Sequence, residues 1–202
     1  MATEGLRARR RRELKAEINR VALRLLAEKG YNAVSLQEIA EEAGISLRTL
    51  FRHFSHKDAV FGFGIELREQ QILQRFSERP DDEPLIESYL HAIRVMVDDY
   101  ISDPEVARNE FGLLREVPGL RAQYLVPSPE HETDAMDREF ARRLGCAPTD
   151  GRMQLLRYCL VNAVVQATSV WRLGAGRGDL HAQMRAYISL FEPMIEKIRA
   201  AS

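Results

Sequence analysis

"SLQEIAEEAGISLRTLFRHFSHKDAVF", Ser35–Phe61, is the stretch on which the fold turns. Leu36, Ile39, Ala40 and Ala43 recur at helical spacing, with Ser35 as N-cap and Glu38 three residues on. Gly44 then breaks the helix where a tight turn needs a permissive backbone, and Ile45 plugs that turn. A third helix is expected from about Ser46 to His53, with Leu50 facing inward and Phe54, just past its end, able to join the core. Two short amphipathic helices joined through glycine, with a small alanine where they cross, form a helix-turn-helix.

What the second of these helices leaves outside indicates a partner. Leu47, Arg48 and Thr49 point out of its first turn, where a recognition helix meets base edges. Arg48 can give guanine two hydrogen bonds, and Leu47 can touch a thymine methyl. Phe51, Arg52, His53 and Lys57 fall one or two turns later, at the height of the sugar-phosphate backbone, where contacts set register and read no sequence. Arg7 and the run Arg9, Arg10, Arg11 and Arg12 are expected as an arm before the first helix, able to lie along phosphates or enter a minor groove. The charge agrees. Residues 1–57 carry 12 Lys and Arg against 7 Asp and Glu, whereas residues 58–202 carry 17 against 23. A basic front end on an acidic body assigns the polyanion to the front.

Ile39-Ala40, Ala43-Gly44, Ser46, Thr49-Leu50-Phe51, His53-Phe54 and Lys57 resemble the DNA-binding segment of TetR-family transcriptional regulators, over about 50 residues. The resemblance implies an all-α protein that binds palindromic double-stranded operator DNA as a homodimer and is released by a small-molecule effector. It departs at Phe51, where the family usually has tyrosine, and at Leu47, where a small residue is frequent. The candidate DNA-binding residues are Ser35, Ser46, Leu47, Arg48, Thr49, Phe51, Arg52, His53, Lys57, Arg9, Arg10 and Arg11.

The rest of the chain also reads as helix, about nine in all, with no β alternation. The expected division is 1–57, a DNA-binding domain with its arm, and 58–202, a ligand-binding and dimerisation domain. A first helix ends at Gly30, and a long fourth begins near His56 and fades in the polar, proline-containing Ser77–Pro84. Further helices are expected over Leu85–Ile101, Pro104–Glu116, Glu130–Leu144, Thr149–Leu173 and Leu180–Arg199, the last broken or kinked at Pro193. Pro118–Pro129 holds three prolines and gives no clear element.

Between Tyr158 and Trp171 the long helix is apolar on nearly every side, which requires burial on nearly every side. One face against its own domain and one against a second subunit meet that need. The expected ligand-binding residues are Met96, Tyr100, Phe111, Leu114, Arg115, Tyr124, Phe140, Asn162, Gln166 and Trp171. The region after Ser77 is similar to a TetR subgroup whose regulatory domain is acyl-CoA-like, the mycofactocin-type regulator among them. That implies an apolar tunnel and an acyl-CoA effector, with Arg115, Arg121, Arg142 and Arg143 as possible phosphate contacts.

Other classes find little support. Cys146 and Cys159 make neither a disulfide framework nor a metal motif, and the five histidines show no metal spacing. No nucleophile elbow or phosphate loop appears, so no enzyme, metal or cofactor is expected. No signal-peptide core follows the charged front, and no run nears the ~18 apolar residues of a membrane span. A cytoplasmic protein without membrane association is expected. The alternative is a helical interaction module that keeps the helix-turn-helix only as structure.

Overall fold

The computed structural model describes residues 5–125 and 133–200 and is all-α among them. In chain order the helices are α1 (Leu6–Lys29), α2 (Leu36–Glu42), α3 (Leu47–His53), α4 (Lys57–Ser77), α5 (Leu85–Ser102) and α6 (Pro104–Glu116). Then come α7 (Pro118–Leu125), α8 (Ala135–Leu144), α9 (Gly151–Leu173), α10 (Leu180–Ile188) and α11 (Glu192–Arg199), with one 3-10 turn, Ser189–Phe191, before α11.

Two boundaries differ from those expected. The arginine run is not an arm: Arg7 to Arg12 are the opening turns of α1, because arginine is a good helix former and Gly5 permits the entry. Part of the proline-rich stretch forms α7, with Pro118 at its first position, where a missing N–H costs nothing. The last helix is divided at Pro193, as expected: a 3-10 turn precedes α11, and the proline sits in the first turn of α11. The expected start of α8 at Glu130 lies outside the described residues; Asp134 caps it in a reciprocal capping box with Asp137.

The chain forms two compact units, Met1–Leu67 with Glu105–Tyr124, and Arg68–Pro104 with Leu125–Ser202. The first break falls at Leu67/Arg68 within α4, ten residues beyond the expected 57/58, since a continuous helix offers no boundary at its own start.

In the first unit Ile18, Ala22, Leu26, Ile39, Leu50, Phe54 and Phe61 are buried. The Asn19 amide is buried with them and donates to the Val60 and Phe61 carbonyls at 2.8 and 3.0 Å, which ties α1 to α4. Tyr124 of α7 packs on Phe61, ring centroids 5.7 Å apart, and its hydroxyl reaches the Asp58 carbonyl at 3.4 Å. A β-carbon on Gly62 would stand 1.7 Å from that hydroxyl, so only glycine admits the tyrosine in this position.

The second unit is built on Phe76, Tyr89 and Phe140, whose ring centroids lie 5.0–6.0 Å apart, with Met153, Leu156 and Leu160 of α9 beneath. Arg143, whose side chain is only 2% exposed, is neither a surface arginine nor available to a ligand phosphate. It donates to the Phe76 and Arg79 carbonyls at 2.7 and 2.9 Å, closing the end of α4, and pairs with Glu139 at 2.9 Å. A buried guanidinium is tolerable because its donors are satisfied this way.

Candidate nucleic-acid interface

The helix-turn-helix assembles as its residue types require. Ser35 Oγ accepts from the Glu38 amide at 3.2 Å and starts α2. The Glu38 carboxylate turns instead to Lys29, whose ammonium holds it below its ordinary range. Gly44 takes φ +66°, a left-handed turn, and the Ile45 amide returns to the Ala40 carbonyl at 2.9 Å. Ser46 caps α3, its Oγ accepting from the Thr49 amide at 3.1 Å and lying 2.9 Å from Thr49 Oγ1. Leu50 is wholly buried and orients the helix.

That orientation leaves Arg48 and Arg52 exposed and Phe51 51% exposed. Leu47 and Thr49 are half-buried in the first turn. A half-exposed phenylalanine beside two arginines on a rigid seven-residue helix offers an apolar contact between cationic ones. His53 is different: both ring nitrogens are buried without a hydrogen-bond partner. Burial, then Arg52, Arg11 and Lys15, lower its pKa and favour the neutral ring.

Lys57 is engaged inside the protein. Its ammonium donates to the Tyr31 and Val34 carbonyls at 2.5 and 2.8 Å and lies 4.4 Å from the Tyr31 ring centroid. Asp58 accepts from the Tyr31 hydroxyl. Lys57 and Asp58 at the start of α4 therefore hold the α1–α2 connection in place, a role that the sequence pattern does not mark. On α1, Arg9 pairs with Glu13 at 2.8 Å, while Arg10 and Arg11 are exposed. Sequence reasoning passed over Lys15, whose ammonium lies 4.8 Å from the ring centroids of both Phe54 and Phe63. Its i, i+4 relation to Arg11 was the available signal.

The expected ligand residues do not gather in either unit. Phe111, Leu114, Arg115 and Tyr124 belong to the first unit, and Met96, Tyr100, Phe140, Asn162, Gln166 and Trp171 to the second. Phe111, Leu114 and Phe140 are buried core, and Tyr100 is buried with the Arg68 guanidinium 5.1 Å from its ring centroid. Met96 is half-buried against the second unit's core. Trp171 donates to the Gly178 carbonyl at 3.3 Å, and Arg115 is exposed and paired with Glu116 at 3.0 Å. Asn162 donates to the Tyr158 carbonyl of its own helix, and Gln166 is exposed. Arg142 pairs with Asp81 and Glu139 at 2.6 and 2.7 Å, and Arg121 is exposed.

Among the described residues no group of three or more His, Cys, Asp and Glu is placed to hold a metal ion. No helix among them is long and apolar enough to cross a membrane.

A capped, arginine-bearing helix presented from a helix-turn-helix, in an all-α chain, defines a DNA-binding transcriptional regulator. Residues 18–62 match the family model described as bacterial regulatory proteins, tetR family. The chain is 29% identical over 198 residues to the HTH-type transcriptional regulator TcmR of Streptomyces glaucescens, covering 94% of this chain and 86% of that protein. A Mycobacterium tuberculosis protein named as mycofactocin biosynthesis transcriptional regulator MftR is 27% identical over 174 residues, 85% of this chain and 86% of its own. The crystal structure of the Thermus thermophilus repressor FadR shares the fold, with TM-score 0.53 at 21% identity over 87% of this chain and 92% of that one. The chain thus carries the DNA-binding segment of the tetR family and is similar over most of its length to bacterial transcriptional regulators.

Proposed function

We propose that this regulator is a cytoplasmic repressor that binds a palindromic operator as a homodimer and leaves it when a small apolar effector of the acyl-CoA class binds. The observation that carries the DNA-reading part is α3, where Ser46 fixes the helix start and Arg48 stands exposed in the first turn. Leu47, Arg48 and Thr49 face base edges; Phe51 and Arg52 face the backbone, whereas His53, whose ring nitrogens are buried, does not offer them to a phosphate. Lys57 keeps one ammonium proton for a phosphate, and Arg9, Arg10 and Arg11 extend the positive surface along α1.

Dimerisation rests on α9. Leu155, Tyr158, Cys159, Asn162, Gln166, Ser169, Val170 and Leu173 recur on one side of the helix and are exposed or half-buried in the single chain. Leu155 and Leu173 are 54% and 76% exposed, and Leu190 beyond α10 is 73% exposed. A stripe of this kind is covered most economically by its own copy across a two-fold axis, which also presents two α3 helices to two half-sites. The effector class rests on the fold likeness to Thermus thermophilus FadR, whose structure is a complex with lauroyl-CoA. Differential affinity of the effector for the two dimer shapes is sufficient for release.

Selection of purified protein on a random duplex pool tests the reading, and a palindrome is expected to emerge. Arg48→Ala is expected to weaken the selected site by about 1–3 kcal/mol and relax one base position in each half-site. Unchanged preference in that variant would place the reading elsewhere. Release of the selected duplex by lauroyl-CoA, and none by coenzyme A alone, is the expected effector result.

A further inference from the structure

The second unit carries a groove that no DNA-reading residue borders. It lies between α5 and α10, with a volume of about 560 Å³. Its floor is apolar: Leu90, Ile93, Val97 and Met184 line it, and all four are buried. Above them α5 sets a polar stripe at helical spacing, Glu87, His91, Arg94 and Asp98, each exposed on one face of the helix. The two ends of the stripe are bridged to α10. Arg185 donates to both carboxylate oxygens of Glu87, and His181 Nε2 lies 3.0 Å from Asp98 Oδ1. From Glu87 to Asp98 the axis of α5 advances roughly 16 Å.

The middle of the stripe is left open. Between its two bridging residues α10 lines the groove with Ala182 and Met184, neither of which can pair with a base. Arg94 makes no hydrogen bond or ion pair among the described residues. The acids that line the groove are already engaged and do not compete for it. Glu87 holds Arg185, Glu83 accepts from Arg79 and Ser88, and Asp179 caps α10, accepting from the Ala182 amide at 3.0 Å. A seam that only joined two helices would be bridged in its middle as it is at its ends. An apolar floor beneath a free guanidinium is instead the arrangement of a small-molecule site.

We propose that this groove binds a small molecule with an apolar body and one carboxylate. The body lies on Leu90, Ile93, Val97 and Met184; the carboxylate sits on the Arg94 guanidinium, with His91 one turn away as a second donor. A guanidinium gives a carboxylate two parallel hydrogen bonds, which a point cation does not. Charge decides for a single anion. One free guanidinium is available, and Glu83, Glu87 and Asp179 share the groove with it, so a dianion such as a phosphate monoester meets added repulsion. The site lies wholly within the second unit and stands or falls apart from the DNA-reading assignment.

The test is calorimetric titration of the full-length chain with 2-naphthoate and with laurate, a planar and a linear body on the same headgroup. 2-Naphthylmethylammonium and 2-naphthyl phosphate serve as the cationic and dianionic comparisons. Saturable binding of at least one carboxylate is expected, in the millimolar range or tighter, with the ammonium and the phosphate about tenfold weaker or more. Arg94→Gln is expected to lower carboxylate affinity by about tenfold or more, and Arg94→Lys to recover only part of it. Ala182→Trp, which fills the groove and leaves Arg94 in place, is expected to remove binding. Both positions are exposed, so folding is expected to be kept, and circular dichroism checks it. Carboxylate binding that survives either Arg94→Gln or Ala182→Trp places the molecule elsewhere and overturns the inference. Binding of neither carboxylate overturns it, and so does an ammonium or phosphate that binds as tightly as the carboxylate.

Discussion

Lys57 shows how one residue type can read two ways. In sequence it is a cation just past a recognition helix, a natural phosphate contact. In the structure two carbonyls and an aromatic face hold its ammonium, and burial lowers its pKa. Lys57→Ala is expected to destabilise the first unit by roughly 1–3 kcal/mol, since it leaves the Tyr31 and Val34 carbonyls unpaired. Chemical denaturation of the DNA-free protein measures this. A variant as stable as wild type would return the residue to a purely DNA-facing role. Arg48, Phe51 and Arg52 were legible because a helix wheel anchored on Leu50 fixes which side chains leave the surface. Lys57 was not, because its partners are backbone carbonyls more than 20 residues upstream, which no periodicity encodes.

At the scale of elements, connections carry as much design as helices. The turn between α4 and α5 is held by Glu83, which accepts from Arg79 and, at 2.6 Å, from Ser88, while Arg143 reaches the Pro80 carbonyl at 3.2 Å. The Arg79 and Ser88 hydrogen bonds bring the Glu83 carboxyl from its ordinary 4.5 down to about 2. A folded-state value below the unfolded one stabilises the fold above about pH 4.5 and ceases to do so as pH falls towards 2. Glu83→Gln is expected to flatten the acid limb of the stability curve in that window; an unchanged limb would assign acid sensitivity to other carboxylates. The two short helices α2 and α3 were legible from caps, glycine and apolar spacing. The start of α1 was not, because Gly5 makes no side-chain cap and a run of arginines has no apolar stripe to reveal a period. α7 was hidden for a related reason: three prolines look like a breaker until one of them falls at a helix start.

For the whole molecule, legibility divides with the chemistry. A DNA reader needs a few residues close together in sequence, so its motif is compact. A ligand pocket draws residues from distant helices, and the ten expected here carry no signal that joins one helix to another. They fall in both compact units. Large apolar side chains in an all-helical chain are mostly core, as Phe111, Leu114 and Phe140 are. The apolar character of α9 was the more informative signal, because it left a stripe that the single chain does not cover. Leu173→Glu is expected to weaken self-association by at least tenfold in sedimentation experiments and to weaken operator binding with it. Unaltered association would move the interface off α9.

The first unit is discontinuous: Glu105–Tyr124 belongs with Met1–Leu67. This orders events during synthesis. The helix-turn-helix leaves the ribosome first, with the Phe61–Gly62 side of α4 still bare. At about 5–20 residues per second, the chain through Tyr124 follows roughly 3–11 s later. Until then the tyrosine that seats on Gly62 does not exist, and a fragment ending near Leu67 would keep the nascent state permanently. The compact unit that carries the motif is therefore longer than the motif, and it is finished only when a helix nearly 60 residues downstream has been made.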